Sequence, residues 1–149
     1  MQTPPRLAVR GLITFENRVL LVNAYGDRPD RLWCLPGGGV EAGASLPDNL
    51  AREVWEECGL RIKVRHPLVV SEFQNSDTGF HQVEVIFRGT VASDQLDPDW
   101  HDPERVVSRR RFASQAELQD LPVKPDLLKT MDWDSPALTY EPLHEMLKL

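Results

Sequence analysis

The stretch "GGGVEAGASLPDNLAREVWEECGL", residues 37–60, restricts the fold more than any other part of the chain. Ser45 followed by Asp48 has the spacing of a helix cap and its third residue. Pro47 falls in the first turn, where a missing N–H costs little. Gly59 before Leu60 supplies the left-handed residue that ends a helix. Between these limits, a rotation of about 100° per residue gathers Leu50, Ala51, Val54 and Cys58 into one apolar stripe. Glu53, Glu56 and Glu57 occupy an adjoining arc at i, i+3 and i+4, where like charges repel. Arg52, four residues before Glu56, is the single compensating charge nearby. A solvated acidic face and a site for a multivalent cation both agree with this pattern.

The lead-in favours a site. Gly37, Gly38, Gly39 and Gly43 are expected to form a loop whose backbone can approach a ligand closely. That loop brings Glu41 and the end of a short apolar strand, "LWCLP", next to the acidic helix. Clustered carboxylates behind glycines suit a hard cation such as magnesium, which retains waters and binds substrate phosphates.

The rest of the chain reads as strands with few helices. "LAVRGLITFENRVLLVNAY" predicts two strands, near 7–15 and 18–25, joined at Glu16-Asn17, with "DRPDR" a loop after them. "RIKVRHPLVVSEF" and "FHQVEVIFRGTVA" predict longer strands separated by the loop "QNSDTG". The Asp- and Pro-rich segment 92–104 is expected to be an exposed loop, and "RVVSRRRF" a further strand. Ser114 and Glu117 have capping-box spacing, and "PDLLKTMDW" is expected to be helical with Pro125 near its start. From Ser135 onward the pattern is ambiguous. Hairpin-length connections point to a mixed sheet rather than a parallel one.

Composition sets the bounds. The 149 residues, 41% hydrophobic and 27% charged, suit one globular domain with a substantial core. The formal net charge of -6 argues against nucleic acid or an anionic membrane as partner. A phosphate-bearing substrate would need a metal or a local basic cluster to offset repulsion. Cys34 and Cys58 are too few for a disulfide framework and read as buried reduced thiols. "MQTPPRLAVRG" lacks the apolar core of a signal peptide, and no run approaches about 20 apolar residues. A soluble cytoplasmic protein is therefore expected.

With Gly38 as its first glycine, the stretch resembles the Nudix hydrolase box, G-x5-E-x7-R-E-U-x-E-E-x-G-U, U being a bulky aliphatic residue. "REVWEECGL" matches every specified position from Arg52 to Leu60, whereas Ala44 stands where the pattern has its first glutamate. The resemblance implies an α/β protein, a Nudix-type α/β/α sandwich around a mixed β-sheet, as one domain over 1–149. It implies divalent-metal-dependent hydrolysis of the pyrophosphate linkage in a nucleoside diphosphate joined to another moiety. Mg²⁺ would be the cofactor, with Mn²⁺ as substitute. Glu53, Glu56 and Glu57 would hold the metal, Arg52 would orient one of these carboxylates, and Gly38 and Gly39 would border the substrate. Glu53 or the later-loop residue Glu104 would supply the general base, and Glu41 an accessory ligand. The expected partner is a small nucleotide; a homodimer is left open, since dimers occur in the family. The competing expectation is a catalytically silent nucleotide-binding domain, for which Ala44 is the best argument.

The substrate stays open between a nucleoside triphosphate and a nucleotide-sugar. Family members acting on ADP-ribose often carry a proline about fifteen positions after the box, and none lies between Pro67 and Pro98. Those acting on dinucleoside polyphosphates often carry a tyrosine slightly later, and none lies between Tyr25 and Tyr140. Arg109, Arg110 and Arg111 read as two solvated arginines and one partly buried, with a phosphate contact as the lesser reading. Trp33 reads as a packed aromatic. His66, His81, His101 and His144 lack zinc-ligand spacing and read as ordinary histidines.

Overall fold

The computed structural model describes residues 3–23 and 31–146. Strands β1 (Arg6–Phe15) and β2 (Arg18–Asn23) form the expected hairpin. Glu16 and Asn17 both take positive φ, 47° and 61°, which a tight two-residue turn of this kind requires. Positions 24 and 25 of the second expected strand, and most of "DRPDR", lie outside the described residues.

After the short strand β3 (Trp33–Cys34), the glycine run departs from expectation. Gly37–Gly39 is a strand, β4, not a loop, and pairs antiparallel with Ala8–Arg10 of β1. Glycine is needed there for proximity. A Cβ at Gly37 would lie 2.0 Å from the Val9 carbonyl oxygen, and one at Gly39 2.5 Å from the Arg6 guanidinium. Helix α1 (Leu46–Cys58) then begins and ends as the sequence predicts. Ser45 Oγ accepts from the Asp48 N–H at 3.1 Å, and Gly59 closes the helix at φ 69°.

Strands β5 (Ile62–Asn75) and β6 (Phe80–Val91) form a long antiparallel pair. The strand expected from "RVVSRRRF" starts five residues late, as β7 (Arg110–Ser114). Side chains take the earlier backbone instead of a ladder: Asp102 Oδ2 accepts from Val107 N–H, and Asn23 Oδ1 from Ser108 and Arg109 N–H, each at 2.9 Å. Helix α2 (Gln115–Leu118) carries the full Ser114–Glu117 capping box. The strand β8 (Val123–Lys124) follows, and "PDLLKTMDW" shrinks to one 3-10 turn, Asp126–Lys129. The ambiguous end resolves into an edge strand, β9 (Thr139–Glu145), parallel to β5.

The sheet runs β8-β3-β2-β1-β6-β5-β9, with β4 also on β1 and β7 also on β2. β1/β6, β3/β8 and β5/β9 are parallel and the remaining pairs antiparallel, so the sheet is mixed. Alternation in the hairpin feeds two cores. Val9, Ile13, Leu20 and Val22 pack with Leu50, Val54 and Cys58 of α1. Leu12, Val19 and Leu21 face the other way, onto Leu118 of α2, Leu128 and Trp133. The expected sandwich is present, with a full helix on one side and only short turns on the other. No helix among the described residues is long and apolar enough to cross a membrane.

Gly37 supports both the backbone path and the β1–β4 contact, at φ 146°. Gly37→Ala should cost about 3 kcal/mol in strain and overpacking, a fall of roughly 6–12 °C in Tm. Thermal unfolding checks this, and a shift under about 2 °C would mean that β4 tolerates a side chain.

Candidate active site

α1 buries more than its apolar stripe. Asn49, Glu53 and Glu57 are buried beside Leu50, Val54 and Cys58, while Ala51 is half-buried. The helix therefore presents a second buried line, i, i+4, i+8, made of polar groups. Asn49, fully buried, staples the preceding turn: its Oδ1 accepts from Glu41 N–H at 2.9 Å, and its Nδ2 reaches the Ala44 and Ser45 carbonyls. Arg52 is anchored on the same group, Nη2 donating to Asn49 Oδ1 at 2.9 Å. Its Nη1 lies 3.2 Å from Glu53, 3.4 Å from Glu56 and 3.7 Å from Glu41. With no carboxylate at position 44, an amide from inside the helix holds Arg52.

The three box glutamates divide. Glu53 and Glu57 line one cleft, whereas Glu56 is absent from its wall and is held by Arg52. Gly38 faces the Glu53 carboxylate so closely that a Cβ would lie 2.9 Å from it. Glu57 Oε2 accepts the Gly37 N–H at 3.3 Å. Burial pushes the Glu57 carboxyl up to about 8; Arg10 opposes the rise and Glu53 adds to it. Burial also raises Glu53, against the pull of Arg52 and with Glu56 and Glu104 adding to the rise. Crowded carboxylate oxygens of this kind fit a hard divalent cation, which would remove the repulsion that burial intensifies. Among the described residues no group of three or more acidic, histidine or cysteine side chains is placed to hold a metal ion, and the cleft offers the two box carboxylates Glu53 and Glu57. The donor set fits an ion that keeps several waters.

The 92–104 segment is irregular, as expected, but fastened. Trp100 packs on Gly59, where a Cβ would fall 2.6 Å from its ring, and donates Nε1–H to the Glu56 carbonyl at 2.9 Å. Trp55 meets it edge-on at 4.9 Å. Asp102, 5% exposed, accepts N–H groups from Glu104, Val106 and Val107. These contacts hold Glu104 and Asp102 on the cleft wall beside Glu53 and Glu57. Glu41 is also on the wall.

The cleft, about 510 Å³, also takes in residues the sequence reading passed over. Arg10 bridges Glu84, at 3.1 Å, and the Leu35 carbonyl, at 3.2 Å. Arg6 pairs with Gln82, and Gln82 donates to Glu84 at 2.8 Å. No local motif marks these residues, because they lie on separate strands that pair only in the folded sheet. His144, read as ordinary, is on the wall too. The arginine triplet is corrected: all three are half-buried. Arg109 and Arg111 sit over Trp33, and Arg110 donates to the Glu57 carbonyl. Trp33 is a core residue, as expected, and Cys58 is a buried thiol, whereas Cys34 is half-buried.

A mixed sheet, an acidic helix and a bare glycine strand together define a class, and comparison with known proteins gives it a name. The model of the NUDIX domain matches residues 4–134, and the chain belongs to the NUDIX family. It is 34% identical over 92 residues to an ADP-ribose pyrophosphatase of Methanocaldococcus jannaschii, covering 62% of this chain and 54% of that protein. It is 41% identical over 98 residues to diphosphoinositol polyphosphate phosphohydrolase 3-alpha of Mus musculus, covering 65% and 55%. The matches therefore span about half the length of these curated relatives. The Mutator MutT protein of Bacillus halodurans superposes with a TM-score of 0.70 at 22% identity, covering 92% of this chain and 91% of that one. At that identity the likeness concerns the fold.

Glu57 gives the metal-free protein a pH signature. A carboxyl raised from an ordinary 4.5 to about 8 favours the fold while protonated, and that contribution is lost as pH rises through 8. Without metal, stability should fall between about pH 5 and 8, and Glu57→Gln should flatten the fall. Denaturant melts across pH decide it; parallel wild-type and mutant curves would mean that Glu57 titrates normally.

Proposed function

We propose that the chain is a divalent-metal-dependent pyrophosphohydrolase acting on a nucleoside diphosphate linked to another group. The observation that carries this reading is the pair of buried carboxylates, Glu53 and Glu57, against the side-chain-free strand β4. Charge on the cleft supports the need for a cation: eight carboxylates and three permanent cations line it. A pyrophosphate entering alone would be repelled.

Mg²⁺, or Mn²⁺ in its place, would be held by Glu53 and Glu57, with Glu56 released from Arg52 to join them. When bound, it supplies charge neutralisation on the phosphate oxygens and a more acidic attacking water. The chain's own groups do the rest. Gly38 and Gly39 add no side chains of their own to the floor of the cleft, and Arg6 and Arg10, held by Gln82 and Glu84, add positive charge beside it. Arg52 fixes the rotamers of Glu53 and Glu56. Glu104, exposed and close enough to Glu53 to raise its carboxyl, accepts the proton of the attacking water. The crowded acidic lining disfavours a polyphosphorylated ring, the substrate class in the mouse relative's name, and favours a nucleotide such as ADP-ribose, a nucleoside triphosphate or a nucleotide-sugar.

A silent nucleotide-binding domain is the second reading, favoured by Ala44 and by Glu56 being turned to Arg52. Release of phosphate or nucleoside monophosphate from a nucleotide panel, with Mg²⁺ or Mn²⁺ and then with excess chelator, separates the two. Turnover that chelator abolishes is expected; inertness across the panel would support the silent domain. Glu57→Gln should lower turnover by at least about 100-fold in a folded protein. Glu104→Gln should lower it roughly 10²- to 10⁴-fold while metal affinity, read by titration, changes little. An unchanged rate would return Glu104 to the ordinary loop carboxylates. Ala44→Glu should change turnover by no more than about tenfold, since Asn49 already anchors Arg52.

A further inference from the structure

The family model stops at residue 134, but the cleft continues beyond it. β9 contributes Glu141, His144 and Glu145 to the wall. Its parallel pairing with β5 places Glu141 beside Ser71 and His144 beside Phe73. On the other side of β5, the same two residues face Glu84 and Gln82 of β6. Two rows of side chains therefore cross the sheet and end on β9.

The ends of these rows differ in chemistry from the acidic helix. Ser71 Oγ donates to Glu141 Oε1 at 2.5 Å, whereas Glu141 Oε2 accepts no hydrogen bond among the described residues. The Phe73 and His144 rings lie 6.2 Å apart at a tilt of 47°. Glu145 Oε2 accepts the Ser76 N–H at 3.2 Å and so fastens the end of β9 to the β5–β6 turn. From β4, against which the Glu53 carboxylate lies, the sheet passes through β1, β6 and β5 to β9, four strand spacings or about 19 Å. The proposed reacting end and β9 are thus separated by a nucleotide-sized span, with Arg6 and Arg10 between them.

Resting on the pyrophosphohydrolase reading, we infer that β9 and Phe73 form the subsite for the nucleoside end of the substrate. The base lies against the Phe73 and His144 rings, and an exocyclic amine or ribose hydroxyl donates to Glu141 Oε2. Aromatic faces accept any base, while a fixed carboxylate selects for a donor. A phosphate cannot take this place. Glu84, Glu141 and Glu145 would oppose it, and the guanidiniums of Arg10 and Arg6 are engaged by Glu84 and Gln82.

Calorimetric titration of the whole chain in excess chelator, with AMP, GMP, CMP and UMP and with ribose 5-phosphate as the base-free control, tests the subsite without hydrolysis. At least one nucleotide should bind about tenfold more tightly than ribose 5-phosphate. Phe73→Leu, which keeps apolar volume, should remove that advantage. Glu141→Gln, which keeps an acceptor for Ser71, should change the order of preference among the bases. In steady-state assays both variants should raise KM about tenfold and leave kcat within about threefold. Thermal unfolding confirms that each variant is folded. Equal binding of nucleotides and ribose 5-phosphate, or wild-type affinity and preference in both variants, overturns the inference. Base-dependent binding that both variants weaken, in a protein inert toward every nucleotide, sustains the subsite and overturns the hydrolase reading instead.

Discussion

A Cβ at Gly38 would lie 2.9 Å from the Glu53 carboxylate, and one at Gly37 2.0 Å from a β1 carbonyl. At β4 the sheet comes this close to the acidic face of the helix only because the strand carries no side chains. The rest of the site depends on that approach. It brings the Gly37 N–H onto Glu57 and places the Arg10 guanidinium against the Leu35 carbonyl and within electrostatic reach of Glu57. It also strips water from two carboxylates that stand one helical turn apart. Burial without enough positive charge makes the pair costly in the bare protein. A bound cation would relieve that cost.

The helix was legible because its signals are local. A cap, a stop and a 3.6-residue period all lie within one stretch, and each holds from Ser45 to Gly59. The hairpin and capping box were legible for the same reason. The Gly37–Gly39 strand was not: its partner, Ala8–Arg10, lies some thirty positions earlier, and glycine has little intrinsic preference for strands. The late start of β7 was hidden because Asp102, a few residues upstream, captures the N–H groups of Val106 and Val107, while Asn23, from distant β2, captures those of Ser108 and Arg109.

The candidate site divides along the same line. Glu53, Glu57 and Glu104 were identifiable from the box and the acidic loop, and the fold gathers them on one cleft. Glu56 stands aside because one residue of helix rotation, about 100°, separates it from Glu57, a difference that i, i+3, i+4 spacing alone does not resolve. Asn49 was missed because a buried amide four residues before a glutamate has no distinctive spacing. Its role lies in its tertiary partners: one N–H, three carbonyls and a guanidinium at the mouth of the site. Arg6, Arg10, Gln82 and Glu84 form a network between β1 and β6, parallel strands more than seventy residues apart.

Strand pairing also separates the proposed reacting groups from the proposed recognition wall. The carboxylates sit on α1 and the loop tied to it by Trp100, all inside the stretch shared with the family. The far wall is β9, outside that stretch, joined to the sheet edge by its ladder with β5 and by Glu145. An edge strand contacts one neighbour, so its side chains can change without repacking either core. The glycine strand allows no such freedom, being enclosed between β1 and α1 on every close contact. A substitution on β9 should therefore act on what the cleft admits, while one on β4 acts on whether the cleft exists.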